Sequence, residues 1–560
     1  MKYIIIGAVA GGASTAARLR RLDEKAEIVI FERGQYISYA NCGLPYYIGD
    51  VIKDRNKLFV QTAALFSTRF KIDVRVRTEV TGIDAKGKRI AAVNLVTGEE
   101  YYESYDKLVL SPGANPVVPP FPGVDLQGIF TIRNVSDTDY IKSYVGKFSV
   151  RRAVVVGAGF IGLEMAENLH NLGLEVSLVE QGSQVLAPVD YPIAAIAQQH
   201  LREKGINLYL KSTVQGFIPE EGHLLVQLKD SGPLPADIVI LSIGVKPDTN
   251  LAEMAGLKIG AAKGIEVNEY LQTSDPDIYA VGDAIEFKNP LSGNSMVTYL
   301  AGPANKQGRI CATNLAFGNR QSYKGSINTA IVQVFDLTIA VAGMSVKNFK
   351  KSGMDYLVST THGQSNAGYY PGAELMSIQI AFSPEDGRLL GAQVIGRKGV
   401  DKRLDLLASV IKNGGTIYDL TEMEHSYAPP FSSAKDPVNM AGFVAENMLL
   451  DRLKVVQCED LANIDDNDLL IDVRTEEEYD AGSIPGAVSI PLDELRGRLD
   501  EIPESKRIYI FCQQGLRGYL AQRILLQSVS NNVVNLSGGY LLWKNYCKER
   551  MLLEGDMVCA

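Results

Sequence analysis

Cysteine is scarce in this sequence. The six in 560 residues stand at 42, 311, 458, 512, 547 and 559, and no two form a CxxC pair. That excludes a disulfide-stapled secreted framework, so the cysteines read as reduced thiols and no metal site is expected. Long apolar runs are missing too: nothing reaches the ~18 uninterrupted residues that suggest a membrane span. The opening run Tyr3–Ile6 passes into a glycine-rich turn and not into a cleavage site, and a cytoplasmic protein is expected. With no long Lys or Arg run and a formal charge of −9, nucleic acid and anionic membrane are disfavoured and small molecules are the expected partners.

What is present is the composition of a folded globular chain, too long for one core and therefore roughly three to five domains of ~100–200 residues. A strand (Tyr3–Ile6), a glycine turn (Gly7 to Gly12), a helix through Leu22 and a strand (Glu27–Phe31) form a βαβ pattern. The pattern recurs at Ala153–Val156, Gly157 to Gly162, a helix to about Leu172, and Glu175–Val179. The chain therefore reads as α/β with two dinucleotide folds. After Asp283 come a helix at Ala301–Phe317, strands near Thr329–Val334, Ile339–Met344 and Leu375–Phe382, and a helix near Val438–Leu450. A new α/β pattern begins near 455.

The second turn, Gly157-x-Gly159-x-x-Gly162, sets N–H groups and a helix N-terminus against a pyrophosphate. Glu180, ending the next strand, stands where an acid accepts from a ribose 2′-OH, which favours NADH over NADPH. The first turn carries Val9 where the middle glycine belongs, and Glu32 restores the pattern. Downstream, Thr273-Ser-Asp-Pro-Asp-Ile-Tyr-Ala-Val-Gly282-Asp283 resembles the second FAD motif of the flavoprotein pyridine nucleotide–disulfide oxidoreductases. Ser111-Pro-Gly113-Ala and Leu241-Ser-Ile-Gly244 match further elements of that family.

The resemblance covers residues 1 to about 446. It implies an FAD domain at 1–112 and 250–322, an NAD(P)H domain at 113–249, and an α+β dimerisation domain at 323–446, with the active site shared across a homodimer. FAD contacts are implied at Gly7, Gly11, Gly12, Glu32, Arg33, Val80, Gly113, Gly282, Asp283 and Ala301. Phe160 is implied as a gate to the nicotinamide pocket, with Gly157, Gly159, Gly162, Glu180 and Gly244 on the nucleotide.

Ser38-Tyr-Ala-Asn41-Cys42-Gly-Leu-Pro-Tyr46 resembles the coenzyme A-disulfide reductase branch, in which one cysteine works alone; Tyr47 stands where CxxxxC members carry the second. A lone redox thiol passes through a sulfenic acid, or through a mixed disulfide or persulfide. The peroxidase and oxidase relatives carry a histidine in the first glycine loop, where this chain has Ala8-Val-Ala10. The branch implies coenzyme A contacts at Ser14, Arg18, Arg21, Ser38, Asn41, Lys71, Asn305 and Lys435. It also implies catalytic tyrosines, Tyr369 and Tyr427, delivered from the partner subunit, with Tyr370 competing for the first.

After a linker at 447–456, residues 457–560 resemble a rhodanese domain: Leu469–Arg474, Glu478-Tyr479 and Gly482–Val488, then Cys512-Gln-Gln-Gly-Leu-Arg517 between strand and helix. Such a loop is an anion nest; together with Arg517 it is expected to lower the Cys512 pKa and stabilise a persulfide. The fusion suggests a persulfide or polysulfide reductase type, acting on coenzyme A persulfide, polysulfide or coenzyme A disulfide with NADH or NADPH. Two other readings stay open, an NADH peroxidase or oxidase and a sulfur carrier or redox sensor.

Overall fold

The computed structural model describes all residues except 148, 466, 504, 505, 530, 531 and 556–560. Two compact units form. One holds Met1–Val179 with Thr213–Asn328, the other Glu180–Ser212 with Thr329–Ala560.

In the first unit the apolar runs become buried parallel strands. One sheet orders Ile278–Ala280, Lys107–Leu110, Lys2–Ile6, Glu27–Glu32 and Asp73–Val76. Such strands are buried on both faces, which is why they read as continuous hydrophobic runs and not as alternations. A second parallel set orders Glu175–Val179, Arg152–Val156, Ile238–Leu241 and Ile129–Phe130. The helix Ala10–Leu22 packs on the helix Ala301–Phe317. The approach is closest where a Cβ on Gly308 would stand 2.5 Å from the Gly11 carbonyl.

In the second unit five antiparallel strands run Ala330–Val334, Leu337–Gly343, Leu389–Gly396, Leu375–Phe382 and Leu357–Gln364. A parallel sheet follows, ordered Val455–Val456, Val533–Leu536, Ile508–Phe511, Leu469–Asp472 and Val488–Ser489. The last helix, Gly539–Glu554, lies against the helix Tyr191–Glu203. Glu549, 0% exposed, accepts there from Gln198 at 2.8 Å, from Gln199, and from Arg202 Nε at 3.1 Å.

Cys42, Cys311, Cys458 and Cys512 are free thiols. Cys547 is disulfide-bonded, which corrects the expectation of a thiol there. Cys559 lies outside the described residues. Among the described residues, no helix is long and apolar enough to cross a membrane.

Candidate active site

A cavity of about 550 Å³ opens at the carboxyl ends of the first parallel sheet. Ligands enter such sheets where the strand order reverses. Of the residues expected at FAD, Gly7, Gly11, Glu32, Arg33, Val80, Gly113, Gly282, Asp283 and Ala301 line it, together with Asn41 and Cys42. Gly12 stands behind the lining, where a Cβ would be 1.9 Å from the Gly7 carbonyl oxygen, so a glycine is needed to close the turn.

The lining suits a dinucleotide. Glu32 accepts from the N–H groups of Ala8 (2.9 Å) and Gly34 (2.8 Å), leaving its strand-end carboxylate fixed beside the glycine turn. Gln307 accepts from the Gly282 N–H at 2.7 Å and so orients the turn that presents Asp283. Burial holds the Asp283 carboxyl above its usual range, against the opposing charge of Arg133. These residues fit FAD along the cavity.

In the second glycine turn Gly157 adopts φ +101°, and a Cβ on Gly162 would stand 1.9 Å from the Gly157 carbonyl oxygen. Around Gly159 a Cβ would meet nothing within 4 Å, so its backbone is open to an approaching phosphate. Phe160 opens the helix Phe160–Asn171 and is half-buried. Gly244 (φ +113°) accepts from the Val117 N–H at 2.9 Å. In the other unit, Glu180 accepts from the Gly182 N–H at 2.7 Å.

Cys42 sits in a short 3₁₀ turn, Asn41–Gly43, leading into the helix Leu44–Ile48, and faces the cavity. Tyr47 is buried, and among the described residues no second cysteine lines the cavity. Cys42 is exposed to the cavity, yet partial desolvation by the surrounding protein, and then the carboxylates of Glu164 and Asp283, push its thiol up. Glu164 was not foreseen. It lies on Phe160–Asn171, which packs on Leu44–Ile48, and accepts from the Tyr46 hydroxyl at 3.2 Å. Burial raises its carboxyl to about 7, so it changes charge near neutrality.

Ser14, Arg18 and Arg21 lie along Ala10–Leu22, and the Ser14 hydroxyl donates to Asn305 at 2.5 Å. Burial and the like charges of Arg309 and Arg21 hold the Arg18 guanidinium below its usual range. Arg309, four residues after Asn305 on the opposing helix, is a further cation that the spacing alone would have flagged. Ser38 adopts φ 45° and donates its N–H to the Ala8 carbonyl. Lys71, at φ 51°, ends the helix Ala63–Phe70. Lys435 is exposed in the second unit.

In that unit Tyr369, 78% exposed, and Tyr427 share a hydrogen bond between hydroxyls at 3.0 Å. Tyr369, not Tyr370, makes this bond. Below them Arg403 and Asp436 form a buried pair, Nη2 to Oδ2 at 2.8 Å. Arg403 also donates to the Ser365 carbonyl at 2.9 Å, and the Ser432 hydroxyl donates to Asp436 at 2.5 Å. Both tyrosine-bearing loops are thus tied to one ion pair.

Cys512 follows the strand Ile508–Phe511, and the Gly515 N–H donates to its Sγ at 3.1 Å. The N–H groups of Tyr540 and Leu541 hold the Cys512 and Gln513 carbonyls at 2.8 and 3.0 Å. These donors follow the Gly538–Gly539 turn, whose Gly538 carbonyl meets His362 Nε2 at 2.8 Å. Burial lowers the His362 pKa, so the ring is neutral, donates from Nε2 and accepts at Nδ1 from Ser377. Arg517, expected at the sulfur, interacts with Cys512 there and is at the same time paired with Glu478.

Residues 1–308 match the family described as pyridine nucleotide-disulphide oxidoreductase, 329–437 its dimerisation domain and 458–546 the rhodanese-like domain. The chain is 36% identical over 449 residues to the coenzyme A disulfide reductase of Staphylococcus haemolyticus, covering 80% of this chain and 100% of that one. Reduced Bacillus anthracis CoADR-RHD superposes with a TM-score of 0.96 at 47% identity, over 98% of each chain. An NAD-dependent persulfide reductase from A. fulgidus gives 0.91 at 36%, over 97% of this chain and 100% of that one. With its glycine turns, lone cysteine and dimerisation sheet in place, the chain belongs to the pyridine nucleotide-disulphide oxidoreductase family and carries a rhodanese domain behind it.

Proposed function

We propose that this chain reduces the S–S bond of coenzyme A persulfide, a polysulfide or coenzyme A disulfide at Cys42, and that Cys512 handles sulfane sulfur in the same cycle. The observation that carries the reading is the solitary thiol on a dinucleotide cavity: with no second cysteine on its wall, Cys42 must hold its partner sulfur as a mixed disulfide or persulfide.

The Cys42 thiolate attacks the substrate S–S bond, forming Cys42–S–S–R and releasing the other half as thiolate. FAD, when bound, supplies the two electrons drawn from NAD(P)H that cleave this second bond. Gly7, Gly11, Glu32, Arg33 and Asp283 would hold it, and Glu180 favours NADH as donor. Ser14, Arg18 and Arg21 bind the phosphates of coenzyme A, with Asn305, Lys71 and Lys435 in support. Tyr369 and Tyr427, delivered by the partner subunit of a homodimer, donate to the departing sulfur. Their exposure fits a surface waiting for a second copy. A cytoplasmic setting, where reduced nicotinamide nucleotide is available, fits this chemistry.

The loop Ala8-Val-Ala10 offers no imidazole for peroxide, which disfavours the oxidase and peroxidase reading. Mass spectrometry of the protein as purified tests the proposal: Cys42 should carry coenzyme A or added sulfur, and anaerobic NADH oxidation should follow persulfide and stop in Cys42→Ser. Rapid turnover with peroxide or oxygen, with Cys42 unmodified, would overturn it.

A further inference from the structure

The loop Cys512-Gln-Gln-Gly-Leu-Arg517 contains one cation, and that cation is engaged. Glu478 grips Arg517 side-on, Nη1 at 2.6 Å from Oε2 and Nη2 at 2.8 Å from Oε1. A bidentate pair of this kind is strong and offsets the guanidinium charge, while Arg517 still faces the Cys512 sulfur. Glu478 is also anchored at the start of the helix Glu476–Asp480, where it accepts from the Thr475 N–H at 3.1 Å. Arg517 holds its carboxyl at about 2, so it stays ionised at any physiological pH.

The other guanidinium beside the loop, Arg474, is buried. It forks onto Asp472, donates to the Gly482 carbonyl at 2.7 Å, and lies 4.1 Å from the Tyr540 ring centre. Outward the loop presents no charge: Gln514 is exposed, Leu516 is 64% exposed, and Leu520, one turn on along the helix, is 44% exposed.

We propose that Cys512 accepts sulfane sulfur from an organic persulfide with an uncharged, pantetheine-like arm and discriminates against thiosulfate, and that Glu478 sets this preference. The inference rests on the reading of Cys512 as a sulfur-transfer residue. In the favoured step the Cys512 thiolate attacks the outer sulfur of R–S–SH. A bond forms between the Cys512 Sγ and that outer sulfur, the S–S bond of the donor breaks, and its electron pair leaves on R–S⁻, giving the Cys512 persulfide. No oxidant or reductant is consumed. The Gly515 N–H stabilises the one negative charge on the cysteine sulfur, and the arm packs on Leu516 and Leu520. Thiosulfate would bring two charges to a mouth whose only loop guanidinium is already neutralised, and would leave sulfite, also a dianion, beside the Glu478 carboxylate. Like charge placed against a ligand is a recognised means of rejecting it.

The experiment follows sulfur loading of the Cys512 peptide in the full-length holoenzyme by quenched-flow mass spectrometry, with pantetheine persulfide and thiosulfate as donors. Wild type should load from the persulfide at least about tenfold faster. Glu478→Gln keeps an acceptor for the Thr475 N–H but releases Arg517, and should narrow the ratio between donors by about tenfold. Leu516→Lys, an exposed change that leaves the Arg517 pair alone, should narrow it too and serves if the first variant folds poorly. Equal loading from both donors in wild type, or a ratio unmoved in both variants, overturns the proposal while leaving Cys512 as a sulfur carrier. Loading from neither donor removes the sulfur-transfer reading itself.

Discussion

Replacing Arg403 by methionine should loosen both tyrosine loops of the dimerisation domain at once. The pair it would break is 1% exposed on the arginine side and 0% on the aspartate side. Methionine fills much of the arginine stem but leaves Asp436 without its cation, held by the Ser432 hydroxyl at 2.5 Å, the Val438 N–H at 3.0 Å and the Asn439 N–H of the helix cap, and deprives the Ser365 carbonyl of a donor. Removing one partner of a buried pair costs about 3–5 kcal/mol, because the remaining charge stays desolvated. Burial pushes the Asp436 carboxyl up, yet the bonds from Arg403, Ser432 and Val438 hold it below its usual range. Its stabilising contribution is therefore complete above the ordinary carboxylate pKa and is lost as pH falls through the depressed folded value. Urea unfolding at pH 7 should show the loss, with S–S reductase turnover falling alongside it. The double replacement Arg403→Met with Asp436→Leu should recover part of the stability, since an apolar pair of similar volume is often neutral, while loss of the Asp436 cap on the helix Pro437–Leu449 retains about 1 kcal/mol of the deficit. A loss below about 1 kcal/mol at pH 7, or full turnover in a destabilised variant, would refute the latch.

Three further outcomes follow from the sites. Glu164→Gln removes a charge that pushes the Cys42 thiol up, so iodoacetamide trapping of Cys42 in the reduced holoenzyme should accelerate. The gain should appear above pH 7 and vanish well below it, where the wild-type carboxyl, at about 7, is already neutral. Gly12→Ala drives a methyl onto the Gly7 carbonyl oxygen; a cost of about 1–3 kcal/mol and loss of flavin absorbance on purification are expected. His362→Ala releases the Gly538 carbonyl and should slow sulfur loading of Cys512 and shift its pH profile, with His362→Gln restoring part of both.

The sequence disclosed most where one physical cause acts locally. Both dinucleotide turns were readable because a strand, a tight glycine turn and a helix must follow one another within a few residues, and the observed strands Lys2–Ile6 and Arg152–Val156 differ from expectation by one residue. The strands Leu357–Gln364 and Leu389–Gly396 escaped notice. The first ends in polar residues and the second contains two glycines, so neither shows the pattern that their neighbours in the sheet impose. Contacts between distant segments were the least visible. Tyr46 and Glu164 meet across 118 residues, and Arg517 and Glu478 across 39, through helix packing and loop closure that no periodicity reports.

The buried carboxylate of Glu549 bears on how this chain can be divided. Cutting after residue 454 would remove Glu549 and leave Gln198, Gln199 and Arg202 without their common acceptor, while Tyr191 and Ile196 would lose the apolar cluster they pack against. The reductase portion of this chain thus shares a buried polar contact with the terminal helix, although the staphylococcal relative aligns along its full length with only 80% of this chain. Exchanging rhodanese domains between such proteins would therefore require matching the helix Tyr191–Glu203 to the incoming terminal helix, so a graft has a second seam far from the linker.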